Sequence, residues 1–381
     1  MKLRKVVIAP QAFKGSLSAL EIARAIEAGV LQAAPDVQTV LVPVADGGDG
    51  TLQALVDSSG GKIITSKVTG PLRQPVQAQW GAMGDGVTAV IEMARASGLA
   101  LLMREERAPL IATTLGTGEL IKIALDSGHR KFIVGIGGSA TNDGGAGMAQ
   151  ALGARLLDRQ GLELPPGGAA LAHLDRIDIS GMDTRLAAAA FTVACDVNNP
   201  LCGDTGASAI FGPQKGATPD MVKQLDAALW HFADIIQRDL RQDVRNRAGA
   251  GAAGGLGAGL MAFVDADLRA GVDIMLEAVG LAAKLDNADL VITGEGQIDR
   301  STAFNKAPVG VAALAKPRNI PVIAIAGSIG DGYERVHSLG IDAVFSLVTG
   351  PMALDEAMNR TRELIARTTE QAVRAVMIGT R

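Results

Sequence analysis

The sequence has little of what marks several large protein classes. Aromatic residues make up 3% of its 381 positions, too few for the stacking platforms that hold single-stranded nucleic acid. Charge of one sign is scarce too. Lys and Arg number 36 against 40 Asp and Glu, a formal net charge of −4, so electrostatics predict neither a nucleic-acid nor a membrane surface. The 2 cysteines, Cys195 and Cys202, come without a C-x-x-C pair or a Cys/His cluster. A disulfide framework and a structural zinc are thereby disfavoured, and both residues read as reduced thiols of a cytoplasmic protein. The opening MKLRKVVIAPQ offers only Val6 to Pro10 as an apolar run, too short for a signal h-region. The longest low-charge stretch, Gly249 to Val264, is more than a third glycine and falls short of the ~20 residues that span a bilayer. G-x-x-x-x-G-K-[ST], H-E-x-x-H, G-x-S-x-G and kinase H-R-D patterns are all missing. The four histidines, at 129, 173, 231 and 337, stand apart from one another, so histidine acid–base catalysis is not expected.

What the chain does have is glycine, 47 residues where ~7% is usual. Its length passes the ~250–300 residues at which a single core divides, so two domains are predicted. Short β-branched runs, each followed by a glycine-marked loop and a helical pattern, indicate βα alternation and a parallel sheet. The clearest are Lys5–Ala9, Thr39–Pro43, Lys131–Ile136, Leu290–Thr293, Pro321–Ala326 and Ala343–Leu347. Six such strands would make a doubly wound, discontinuous α/β domain over 1–64, 112–150 and 285–381. The remainder, 65–111 and 151–284, reads as a smaller mixed-sheet α/β domain, with Gly84-Asp85-Gly86 turning a hairpin between Val76–Met83 and Val87–Glu92. Ser18 and Glu21 fit a capping box ahead of Ile22, Ile26 and Val30 on one helix face. Pro10 to Leu17 is therefore a loop at a strand's carboxyl end, where open α/β sheets bind ligands. Leu354 to Val376 reads as one long amphipathic helix.

The strand Lys131–Ile136 runs into Gly135 to Gly147, in which Gly137, Gly138, Ser139, Thr141, Asn142 and Asp143 are candidates to line an anion. Small residues let backbone N–H groups approach it closely. Gly135, Gly137 and Ala140 also match G-x-G-x-x-A, with Asp158 further on, so a nicotinamide-dependent oxidoreductase competes. The helical pattern starts after Asn142 rather than inside that fingerprint, which counts against it. A second G-x-G-x-x-G, Gly249 to Gly254, follows no strand; a phosphate-facing loop and close helix packing are equally compatible with it.

Three acid-bearing turns adjoin strand ends. They are Asp46-Gly47-Gly48-Asp49-Gly50-Thr51, Asp196 with Asn198, and Glu295 with Asp299 beside Gly294 and Gly296. Carboxylates ending strands next to glycine are what a Mg²⁺–phosphate site requires. Lys14 and Lys215 would offset phosphate charge, and the set points to phosphoryl transfer.

These motifs resemble the bacterial glycerate kinases of type I over nearly the whole chain. The resemblance is carried by Pro10-Gln11-Ala12-Phe13-Lys14-Gly15-Ser16-Leu17-Ser18, Val42 to Thr51, Val68-Thr69-Gly70-Pro71-Leu72, Gly135 to Met148, Ala194-Cys195-Asp196-Val197 with Asn199-Pro200-Leu201, Phe211 to Ala217, Gly249 to Gly259 and Ile292-Thr293-Gly294-Glu295-Gly296. It implies two α/β domains flanking a cleft, ATP and Mg²⁺, and phosphorylation of D-glycerate to 2-phosphoglycerate, with a homodimer as the possible assembly. Lys14, Asp46, Asp196 and Glu295 would then be catalytic. Lys14 and Ser16 would meet phosphate or the glycerate carboxylate, and Asp46, Asp49 or Asp196 would orient the hydroxyl or hold the metal. Gly47, Gly48, Gly137 to Asn142, Asp143, Lys215 and Lys306 would bind substrate or phosphate, and Asp196, Glu295 and Asp299 would serve the metal. Where such kinases commonly show Gly-Arg-Ile-Asp and Gly-Lys-x-Pro, this chain has Gly296-Gln297-Ile298-Asp299 and Asn305-Lys306-Ala307-Pro308. Loss of the arginine removes a fixed planar cation, so an impaired small-acid-binding relative is a third expectation.

Overall fold

In the computed structural model the described residues are 3–13, 15–45, 50–303 and 306–378. The expectations for Lys14, Asp46, Gly47, Gly48, Asp49 and Asn305 lie outside them. The chain divides into two units, one formed by residues 1–60 and 272–381, the other by 61–271.

The chain begins in the first unit with β1 (Lys5–Pro10) and β2 (Gln38–Leu41). It then builds the second from β3 (Lys62–Thr69), β4 (Pro75–Ala82), β5 (Thr88–Glu92), β6 (Lys131–Gly135), β7 (Arg155–Leu157), β8 (Arg176–Asp178), β9 (Ala190–Ala194) and β10 (Asp267–Arg269). It returns to the first with β11 (Leu290–Ile298), β12 (Val322–Ile329) and β13 (Ala343–Ser346).

The first unit holds a five-stranded sheet in the order β13-β12-β11-β1-β2, every pairing parallel. The strand order reverses between β1 and β11, the topological switch point of a doubly wound sheet. Val6, Ile8, Ile292, Ile323 and Ile325 pack there with Ile22, Ile26 and Val30 of the helix Ala19–Ala33 and with Leu364, Ile365 and Val373 of the helix Thr361–Ile378. These helices come so close that a Cβ on Gly29 would sit 2.3 Å from the Ala366 carbonyl oxygen. The capping box is formed, Ser18 accepting from the Glu21 N–H at 3.3 Å and Glu21 from the Ser18 N–H at 3.0 Å. The long helix expected over Leu354 to Val376 is instead two, Leu354–Asn359 and Thr361–Ile378. The Thr361 hydroxyl, 2.9 Å from the carbonyls of Ala357 and Met358, marks the break, as hydroxyl competition for backbone acceptors bends helices.

The second unit carries a six-stranded mixed sheet in the order β10-β9-β6-β5-β4-β3, antiparallel from β3 to β5 and parallel beyond. A separate antiparallel pair joins β7 to β8. The β4–β5 hairpin turns at Gly86, whose φ of +73° suits glycine. The Lys131–Ile136 run is a strand as expected, but it does not join the five-stranded sheet: Val134 pairs with Ile91 on one side and Val193 on the other. Residues 112–150 accordingly fall in the second unit. An apolar run such as Phe132 to Val134 fits the interior of any sheet covered on both faces, and here β5 and β9 are its neighbours.

Candidate active site

Each unit presents one group of the candidate residues. In the first unit the chain leaves β1 at Pro10, the Gln11 N–H donates to the Gly294 carbonyl at 2.8 Å, and the loop closes through a bridge between Phe13 and Leu17. Ser16 is anchored in it, its hydroxyl donating to Thr361 Oγ1 at 2.8 Å. On β11 Glu295 is buried at 6% exposure. Its Oε1 accepts from the Thr302 hydroxyl, and its Oε2 pairs with Lys306 Nζ at 3.3 Å. Lys306 stands at the N-cap of the helix Ala307–Ala315, adding an ammonium to the positive end of a helix dipole. Asp299 closes an Asx turn, accepting from the Ser301 N–H at 2.7 Å and hydroxyl at 2.6 Å. Those bonds hold its carboxyl below the usual range. Gln297 donates to the other Asp299 oxygen at 3.2 Å.

In the second unit β6 feeds the glycine-rich loop, and the loop has two faces. Gly137 and Gly138 are exposed, and a Cβ on Gly137 would meet nothing within 4 Å. Thr141, Asn142 and Asp143 are wholly buried. Asp143 Oδ2 accepts from the Thr114 N–H and hydroxyl at 2.8 and 2.9 Å and from the Gly147 N–H at 3.2 Å, while Oδ1 accepts from the Gly145 N–H at 3.2 Å. Burial nonetheless raises its carboxyl above the usual range. Lys215, 1% exposed, donates from Nζ to the Thr141 carbonyl at 2.7 Å. Burial lowers its ammonium to about 7, with the Asp143 charge opposing the shift. Asn142 Nδ2 donates to Ser208 Oγ at 2.9 Å. The buried half of the loop thus holds the fold together, and the exposed glycines remain open to a ligand. Asp196 lies beyond β9, exposed, with Oδ1 accepting from the Gly271 N–H at 3.0 Å.

The glycines of 249–259 meet the buried half of this loop. Ala253, Gly254 and Gly255 take left-handed angles inside the helical stretch Ala252–Val264. A Cβ on Gly254 would fall 2.0 Å from the Thr141 carbonyl oxygen, and one on Gly255 2.8 Å from Gly144 Cα. Close packing is the reading that fits the GAGAAG motif. The dinucleotide fingerprint fails on geometry. The helix after β6 does not begin until Ala146, and Asp158 is turned into its own loop, accepting from Gln160 and Leu162 N–H at 2.9 Å each. Sequence reasoning missed Thr302 and Thr114, which orient Glu295 and Asp143. Glu295 and Thr302 are brought together by the turn after β11, and Thr114 lies far from Asp143 in the chain.

A doubly wound parallel-sheet unit and a mixed-sheet unit, with Glu295 on β11 and open glycines after β6, define a two-unit α/β protein. The glycerate kinase family model matches residues 6–377. The chain is 54% identical over 375 residues to a glycerate kinase of Bacillus subtilis, covering 98% of each. It is 52% identical over 377 residues to the glycerate 2-kinase of Escherichia coli, covering 99% of each. A crystal structure of a Salmonella typhimurium LT2 protein assigned as glycerate kinase 2 superposes with a TM-score of 0.93 at 51% identity, covering 99% of both chains. The chain belongs to the glycerate kinase family.

Proposed function

We propose that this chain is an ATP-dependent glycerate 2-kinase. The observation that carries the reading is the near full-length match to the Escherichia coli glycerate 2-kinase. In the reaction the 2-hydroxyl oxygen of D-glycerate attacks the γ-phosphorus, the bond from that phosphorus to the β,γ-bridging oxygen breaks, and ADP leaves. The hydroxyl proton passes to a carboxylate.

Lys306, oriented by Glu295, offsets phosphate charge from the N-terminus of its helix, and Lys14, outside the described residues, is the second candidate for that role. Gly137 and Gly138 admit an anion to the backbone of the second unit. Asp46, Asp49 and Asp196 are the candidates for the proton acceptor. Thr141, Asn142, Asp143 and Lys215 support that loop from inside rather than touching substrate.

Among the described residues no group of three His, Cys, Asp or Glu side chains could hold a metal ion. Glu295 and Asp299 have committed oxygens to Thr302, Lys306, Ser301 and Gln297. Glu295 and Asp299 are thus occupied with partners of their own, and we assign the ion to the nucleotide substrate, Mg²⁺ binding phosphate oxygens while retaining its waters. Among those residues no helix is long and apolar enough to cross a membrane.

Incubating the protein with ATP, Mg²⁺ and D-glycerate in the presence of enolase tests the reading, with ADP and phosphoenolpyruvate as the products followed. Absence of glycerate-dependent ADP would overturn it. ADP without phosphoenolpyruvate would move the phosphorylated position away from the 2-hydroxyl.

A further inference from the structure

The first unit has a recess of about 390 Å³ at the carboxyl ends of β1, β11, β12 and β13, within the ~300–1,000 Å³ typical of small-molecule pockets. It lies at the edge where a doubly wound sheet receives ligands. Its walls are mainly apolar, among them Phe13, Leu347, Met352, Leu354 and Met358. Two apolar wall residues are exposed, Leu354 at 73% and Val348 at 39%, a patch that a bound flat ring would cover.

One wall is backbone. β13 pairs with β12 only as far as Ser346 opposite Ala326, and the Leu347 N–H donates to the Ala326 carbonyl at 2.9 Å. β12 runs on to Ile329. The carbonyls of Val322 and Ala326 both face β13, so by the two-residue repeat of a strand the N–H and C=O of Ser328 face the same way. Among the described residues the ladder on that side has already ended. Ser328 lines the recess and offers one donor and one acceptor beside apolar walls.

We infer that this recess binds the purine base of the nucleotide, with the Ser328 main chain reading its polar edge. The inference rests on the kinase reading, under which two substrates must be accommodated. Glycerate is a small anion with hydroxyls and no apolar face, whereas the purine ring is flat and apolar with donors and acceptors along its rim. Met352 and Met358 suit such a ring through their polarizable sulfur.

The test uses the full-length protein labelled with ¹³C at the methionine methyls, the Met352 and Met358 signals being assigned from M352L and M358L. Adenosine and ATP are expected to shift both signals, and glycerate and inorganic tripolyphosphate to leave them in place. Leu354→Asp, at an exposed wall position, should raise the KM for ATP about tenfold and leave that for glycerate within twofold. Shifts on glycerate or tripolyphosphate rather than on adenosine, or none on ATP during turnover, would overturn the assignment. Should glycerate-dependent ADP fail to appear, the kinase reading falls by itself, and the methyl shifts still decide whether the recess takes a purine.

Discussion

At the scale of single residues, two lysines of the candidate set separate sharply by environment. Lys306 is part-exposed, 29% by side chain, and paired with Glu295. Its ammonium can therefore turn toward an incoming anion without unfolding anything. Lys306→Ala is expected to lower kcat/KM by ~10²–10³-fold, the scale of one charge-stabilising donor lost from a transition state, with Lys306→Arg recovering part of it. Steady-state kinetics check this, and turnover within twofold of the parent would remove Lys306 from the site. Lys215 is buried and answers to pH instead. Its folded value of about 7 lies below the ordinary 10.5, so the unfolded chain keeps a proton that the folded chain has released between those two values. Stability from this group is flat below about 7 and rises with pH above it, with a limiting slope of ~1.4 kcal/mol per pH unit. Urea unfolding at pH 6.5, 7.5 and 8.5 should show that slope in the parent protein relative to Lys215→Met. Parallel stability profiles for the two would show that Lys215 is not the titrating group.

At the scale of elements, glycine decides how closely segments meet. Gly254 combines a φ of +69° with a virtual Cβ 2.0 Å from the Thr141 carbonyl oxygen, whereas Gly203, at φ +87°, faces open space. Gly203→Ala should cost only the left-handed backbone penalty of ~1–2 kcal/mol. Gly254→Ala adds a backbone clash that no rotamer relieves, so its loss of stability should exceed that of Gly203→Ala by ~2 kcal/mol or more. Chemical denaturation of the two variants checks the difference, and equal losses would mean that the loop yields to the added methyl group. The sequence made such elements legible unevenly. Strands β1, β11 and β12 stand out because buried parallel strands read as apolar, β-branched runs before glycine turns, the edge strands β2 and β13 carry shorter runs of the same kind, and the Ser18–Glu21 box is wholly local. Lys131–Ile136 looks the same as those strands, yet β5 and β9 claim it, since pairing partners are set by long-range contact rather than by the run itself. The same limit hid the inward turn of Asp143. Its neighbours in the motif suggested an anion site, while its partner Thr114 arrives from a distant segment.

At the scale of the whole molecule, the second unit is one unbroken segment, residues 61–271, inserted into a first unit made from 1–60 and 272–381. Insertion of this kind requires that the inserted segment close its own core, because few contacts cross a domain boundary. The core packs Trp80, Phe132, Val134, Phe191, Leu229 and Phe232, all from inside the segment, with Phe132 and Phe191 stacked at 4.5 Å between ring centroids. Both tryptophans of the chain, the buried Trp80 and the exposed Trp230, belong to this segment. Trp80 is 1% exposed and packs edge-on against His129 at 5.4 Å, and the Arg245 guanidinium lies 4.3 Å over the Trp230 ring. Tryptophan fluorescence therefore reports this unit alone, while far-UV circular dichroism reports both. A fragment of residues 61–271 is expected to fold by itself and to show a cooperative urea transition in tryptophan emission, with a midpoint near that of the same signal in the whole chain. Red-shifted emission without a cooperative transition would mean that the segment needs the parallel-sheet unit to close its core, and that the chain folds as one body.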